Sequence, residues 1–261
     1  KQKTAYEIVS RDWSSDVCSS DLPSRQVNSN PVRAANGEVE KFIFYRGLGR
    51  FETDLHVVSR PGVMKVVHAN ESPRDIQAVL LLDVDADGRG AIRNLGPLRS
   101  HGEMNITREV AALKSGLQSK AEFLSQAKNL LVSELTASGL FMDESVAMAN
   151  TWERSYFGQP GLRVLYLLNR GETEDLLPMS VTPQPDGLVR TLVGRIEILS
   201  ADEEQELLRM LGSASMTDSD LLQQFGRFTE AKLLRLRELS QSSPVRGRIE
   251  RLLSSIRSSS T

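Results

Sequence analysis

Three groups of residues have the types and spacing that chemistry could use. Asp83, Asp85 and Asp87 precede Gly88 in the run Asp83-Val-Asp-Ala-Asp-Gly-Arg-Gly90, which matches the opening of a calcium loop built from hard oxygen ligands. The match then stops. The ninth loop position is Ala91 and the twelfth is Asn94, which cannot supply the closing bidentate carboxylate, and a strand-like run precedes the loop. The same residues suit a hairpin turn, with aspartates accepting from their own backbone and Gly88 at positive φ, and this is the reading adopted for 83–94. His56, His68 and His101 form the second group. His56 and His68 could meet across a hairpin, but no third ligand is identifiable, and none sits in a zinc-helix pattern. The third group is charged: Arg163, Arg170, Glu174, Asp175, Arg190, Arg195 and Glu197. Charges on interior strands are costly unless paired, and Arg195 and Glu197 share one strand face. Acid–base work would need Glu174 or Asp175 to face the Arg195–Glu197 strand across a cleft. A salt-bridged or solvated edge is the simpler reading. No nucleophile elbow surrounds any serine, and the glycine-rich run Arg89–Gly96 lacks the lysine and following helix of a phosphate loop. No catalytic, cofactor-binding or metal-binding residue is assigned, and no cofactor is expected.

The elements that would position these groups centre on Ser145–Arg170. Asp143 caps a helix there, with Glu144 in its first turn. Val146, Ala149, Trp152 and Tyr156 recur at helical spacing, thickened by Met148 and Phe157, so Trp152 reads as a core residue rather than a ligand platform. Gly158, Pro160 and Gly161 end the helix. Leu162, Val164, Tyr166 and Leu168 then share one strand face while Leu165 and Leu167 occupy the other, the pattern of a central strand. Upstream, a helix starting near Leu117 and closed by Gly139 completes an αα-hairpin, and a shorter helix begins at Asn105 or Thr107. Before these, strands are expected over Lys41–Gly49, His56–Ser59, Val63–His68, Ile76–Val84 and Gly90–Leu95, with turns at Pro61-Gly62 and Asn70–Pro73. After the central strand come a loop at Gly171–Pro178, a short strand at Met179–Thr182, a turn at Pro183–Gly187 and a long strand at Leu188–Leu199. Ser200 and Glu203 form a capping box for a helix over Ala201–Leu211. Asp218 or Ser219 starts a further helix, weakened at Gly226. A last helix, Arg246–Ile256, is basic and amphipathic; it could lie on a membrane surface, but docking on the preceding helix is the preferred reading.

The 32 basic and 34 acidic residues are interspersed, so no field favours nucleic acid or an anionic membrane. No apolar run is long enough to cross a bilayer. The single cysteine, Cys18, excludes an internal disulfide and a cysteine-built zinc site.

Arg11-Asp-Trp-Ser-Ser-Asp-Val-Cys-Ser-Ser-Asp-Leu22 has neither helical nor strand periodicity. With Val9 and Ser10 it closely resembles the translation of a sequencing-library adapter found in environmental gene predictions. The resemblance implies that Trp13 and Cys18 carry no functional weight, and that the true N-terminus is unknown, so the lack of a signal peptide here is no evidence about export. A second resemblance rests on Phe42–Gly47, Met148-x-x-x-Trp152-x-x-x-Tyr-Phe157, Arg163-Val-Leu-Tyr166, Leu177-Pro-Met-x-Val-x-Pro-x-Pro185 and Val189-Arg-x-Leu-Val-Gly-Arg-Ile-Glu197. Together these resemble an uncharacterised family of bacterial, exported proteins over residues 40–235. The resemblance implies a location outside the cytoplasm, in the periplasm or secreted, and no catalytic residues.

The expected fold class is α+β. An artefactual or disordered leader (1–38) precedes an antiparallel β-rich part (39–104), for which a truncated sandwich is one form. An α+β part follows (105–212), with the αα-hairpin packed on a small sheet, and then a helical tail with a disordered end (213–261). The function expected is that of a non-catalytic structural or binding protein of the bacterial cell envelope. The alternatives are a hydrolase using acidic residues in 174–197 and a calcium-stabilised adhesion module.

Overall fold

The computed structural model describes residues 22–42, 55–68 and 73–258, and its fold class is α+β with antiparallel sheets. Residues 1–21, most of the expected strand at 41–49 and most of the turn at 70–73 lie outside the described residues. The chain forms two compact units that divide between Ile198 and Leu199. The divisions expected at 104/105 and 212/213 are therefore both displaced, for reasons visible in the pairing and packing of each unit.

The first unit is built on a four-stranded sheet, ordered β6-β5-β8-β9, in which β5 is Ile76–Val84, β6 Gly90–Leu98, β8 Gly161–Leu168 and β9 Leu192–Ile198. All its pairings are antiparallel, and β5 joins β8 from Ala78↔Leu167 to Val84↔Gly161. That pairing puts residues on both sides of position 104 into one sheet. The central place of β8 follows from its apolar residues on both faces, six of which are buried along with Arg163.

The two faces serve two cores. On one, Val79, Leu81, Val164, Tyr166 and Ile198 pack with Leu55, Val66, Ile106, Val110 and Leu113. These come from a smaller sheet, β3 (Leu55–Arg60), β4 (Val63–His68) and β7 (Glu103–Asn105), and from helix α1 (Thr107–Ser115) with Ile106 just before it. On the other face, Leu80, Leu82, Leu165 and Leu167 meet Phe123, Ala127, Leu131, Ala149, Tyr156 and Phe157. That layer is the expected αα-hairpin, α2 (Lys120–Ala137) and α3 (Met142–Tyr156), turning at Gly139 with φ +106. Ser119 and Glu122 form a capping box on α2. The cap of α3 is Phe141 rather than Asp143, because Glu144 reaches back to accept from the Phe141 amide at 2.8 Å and moves the start outward. Val146 faces solvent, and Trp152 is half-buried with its ring stacked on Tyr156 at 5.9 Å.

Residues 22–38, expected to belong to an artefactual or disordered leader, carry a 3-10 turn at Pro23–Gln26 and strand β1 (Val32–Arg33), which forms a small hairpin with β2 (Val39–Glu40). The turn lies against α3, and the Asn28 amide donates to Asp143 Oδ2 at 2.8 Å. Two further departures lie between β8 and β9. Gly171–Pro178 is not a loop throughout: α4 spans Arg170–Leu176, because the Asn169 side chain accepts from the Glu172 amide and starts a helix. Met179–Thr182 forms no strand, and β9 begins at Leu192 rather than Leu188.

Among the described residues the second unit carries four α-helices, α5 (Ala201–Gly212), α6 (Asp218–Phe225), α7 (Thr229–Leu239) and α8 (Ser243–Ser258), with a 3-10 turn at Gly226–Phe228. Leu207, Leu211, Leu221, Phe225, Leu233, Leu236, Ile249, Leu252 and Leu253 form one apolar cluster. Since α5 supplies Leu207 and Leu211 to this cluster, it belongs with the tail and not with the sheet. The Ser200–Glu203 capping box forms as expected. Thr217, not Asp218, caps α6, and Gly226 at φ +65 separates α6 from α7. Helix α8 starts earlier than expected, at Ser243, with Pro244 in its first turn where a missing N–H costs nothing. The apolar stripe of α8 is buried against the other helices of its unit, so it is not free to lie on a membrane surface.

Candidate functional site

The charged residues singled out by sequence separate into two groups at opposite ends of the β8–β9 pair. In the first, Arg163 stands opposite Glu197 in the strand register and Arg195 opposite Leu165. The Arg163 side chain is wholly buried. Its Nε faces Glu197 at 3.1 Å, its Nη1 donates to the Tyr156 carbonyl at 2.9 Å, and its Nη2 donates to the carbonyls of Gln159 and Pro160 at 2.6 and 2.9 Å. Arg195 pairs with Glu197 through Nε, while its Nη1 donates to the Ser155 carbonyl and, at 3.1 Å, to Ser155 Oγ. The last carbonyls of a helix have no partners within it and carry the negative end of its dipole. Two guanidiniums fixed by one carboxylate thus close the C-terminal end of α3 and tie it to β8 and β9. Burial pushes the Tyr156 phenol well above its ordinary value, and the positive charge of Arg195 offsets this only in part, so the phenol stays protonated at neutral pH.

The second group surrounds α4. Arg170 pairs with Glu174 at 2.6 Å and donates to the Leu188 carbonyl at 3.1 Å. Arg74, which sequence reasoning did not single out, pairs with Asp175. Its guanidinium lies so close over Gly171 that a Cβ there would fall 2.9 Å from Nε. Arg190 donates to the Leu177 carbonyl at 2.7 Å, beyond the end of α4. Glu174 and Asp175 do not come together with Glu197. The five strand steps from Arg163 to Leu168 alone separate the two groups by about 17 Å at about 3.3 Å per residue, whereas paired catalytic carboxylates stand roughly 5–10 Å apart.

The aspartate loop is a hairpin turn. Asp85 Oδ1 accepts from the amides of Asp87 and Arg89 at 3.0 and 2.8 Å, and Gly88 adopts φ +78. Among the described residues no three His, Cys, Asp or Glu side chains gather as a metal-holding group. His56 pairs with Val67 and His68 with Leu55, so the two histidines point to opposite faces of the hairpin and do not meet. His101 is exposed in the turn between β6 and β7, at φ +58.

An open groove of about 870 Å³ follows the outer face of α2, lined by Gln118, Glu122, Ser125, Gln126, Asn129 and Ser133 among others. Its one ionisable group, Glu122, is bound into the capping box, which holds its carboxyl below the ordinary carboxylate value.

The second unit contains another arginine with the same task as Arg163. Arg248 pairs with Asp218 at 2.8 Å and donates to the carbonyl of Leu211 in the last turn of α5 and to those of Ser213 and Met216 beyond its end. The sequence signal for such caps is an arginine distant from a helix end, which spacing within one element cannot reveal. No helix of the described residues is long and apolar enough to cross a membrane. The chain matches no protein-family model, no curated protein and no solved structure.

Proposed function

We propose that this chain is a non-catalytic structural or binding protein of the bacterial cell envelope. One observation carries the non-catalytic part: the buried Arg163–Glu197–Arg195 group spends its donors on the carbonyls of Ser155, Tyr156, Gln159 and Pro160. A catalytic group presents its polar atoms to a space that substrate can enter; this one presents them to backbone. The hydrolase alternative loses its geometric basis with the separation of Glu174 and Asp175 from Glu197. The calcium alternative loses its own with Asp85 turned onto backbone amides. The envelope location rests on the resemblance of residues 40–235 alone, and the leader at 9–22 is read as adapter-derived on its own resemblance.

The test compares the protein with its Glu197→Gln variant, by urea unfolding and by turnover of generic ester, phosphoester, glycoside and peptide substrates. The expected outcome is a less stable variant and no turnover by either protein. Turnover by the unaltered protein that disappears in a variant of unchanged stability would overturn the proposal. Location is tested separately, by fractionating cells that express the natural gene from its own start. Recovery in the cytoplasm alone would refute an envelope role.

A further inference from the structure

We draw no further inference here: the strongest candidate, the exposed apolar tip of the α2–α3 hairpin at Phe141, Met142 and Val146, with Val189 close to Gly139, carries nothing because nothing in the structure shows what covers it.

Discussion

Arg163 holds a full positive charge where water does not reach. Removing such a charge from water costs several kcal/mol, and the cost is recovered only when every donor finds an acceptor of good geometry. Glu197 and three carbonyls supply those acceptors. Glu197→Gln should therefore destabilise the first unit by about 3 kcal/mol, since it leaves a buried cation without its counter-charge. Arg163→Met, close in volume and apolar, should cost at least as much, because it orphans the carbonyls of Tyr156, Gln159 and Pro160. Urea unfolding of both variants checks the order; a neutral or stabilising Arg163→Met would show that the carbonyls find water instead. A second residue-scale expectation concerns Gly194, directly opposite Tyr166 in the register. The Tyr166 ring lies across it so closely that an added Cβ would sit 2.1 Å from Cζ. Gly194→Ala should cost about 3 kcal/mol, the upper part of the range for overpacking a core. A loss below about 1 kcal/mol in the same urea measurement would mean that the ring moves aside freely.

Helix α2 begins with a carboxylate whose protonation can be followed. The hydroxyl and amide of Ser119 hold the Glu122 carboxyl below its ordinary value of 4.5. A lowered value in the folded state means that the cap stabilises fully above the unfolded value and loses its contribution as pH falls through the folded one. The stability difference between the protein and Glu122→Gln should thus be constant near neutrality and shrink on acidification below about pH 4.5. A difference that grows toward acid would contradict the cap. Trp152 belongs to the same layer, half-buried and stacked on Tyr156. Trp152→Ala should cost about 2 kcal/mol, less than the roughly 3–5 kcal/mol of a fully buried aromatic; a loss below about 1 kcal/mol would remove Trp152 from the core. The elements set by local chemistry were legible in the sequence: the hairpins at Gly62 and Gly88, the αα-hairpin, the two-faced strand β8 and the Ser200–Glu203 cap. Helix α4 was not, because Leu176 is the one apolar side chain among its seven residues and its start depends on one asparagine side chain. The charged set was legible as unusual but not in its role. Arg163 and Arg195 act on carbonyls of a neighbouring element, and no spacing within a strand encodes that partner.

At the scale of the whole molecule, each unit has its own apolar core, and the cluster in residues 199–258 draws on all four of its α-helices. Segments with separate cores are able to fold separately. Residues 199–258 expressed alone should be helical and unfold cooperatively on heating; a disordered or featureless melt would show that this cluster does not suffice. The distribution of aromatic residues makes the same question answerable in the intact chain. Beyond Tyr166 the sequence has no tryptophan or tyrosine, and Phe225 and Phe228 are the aromatic residues of the four-helix unit. Indole emission is therefore blind to that unit, while far-ultraviolet circular dichroism sees its four helices together with those of the sheet unit. Denaturation followed by both signals should give curves that fail to superimpose wherever the two units melt at different points, and a spectroscopist relying on fluorescence alone would report the stability of the sheet unit only.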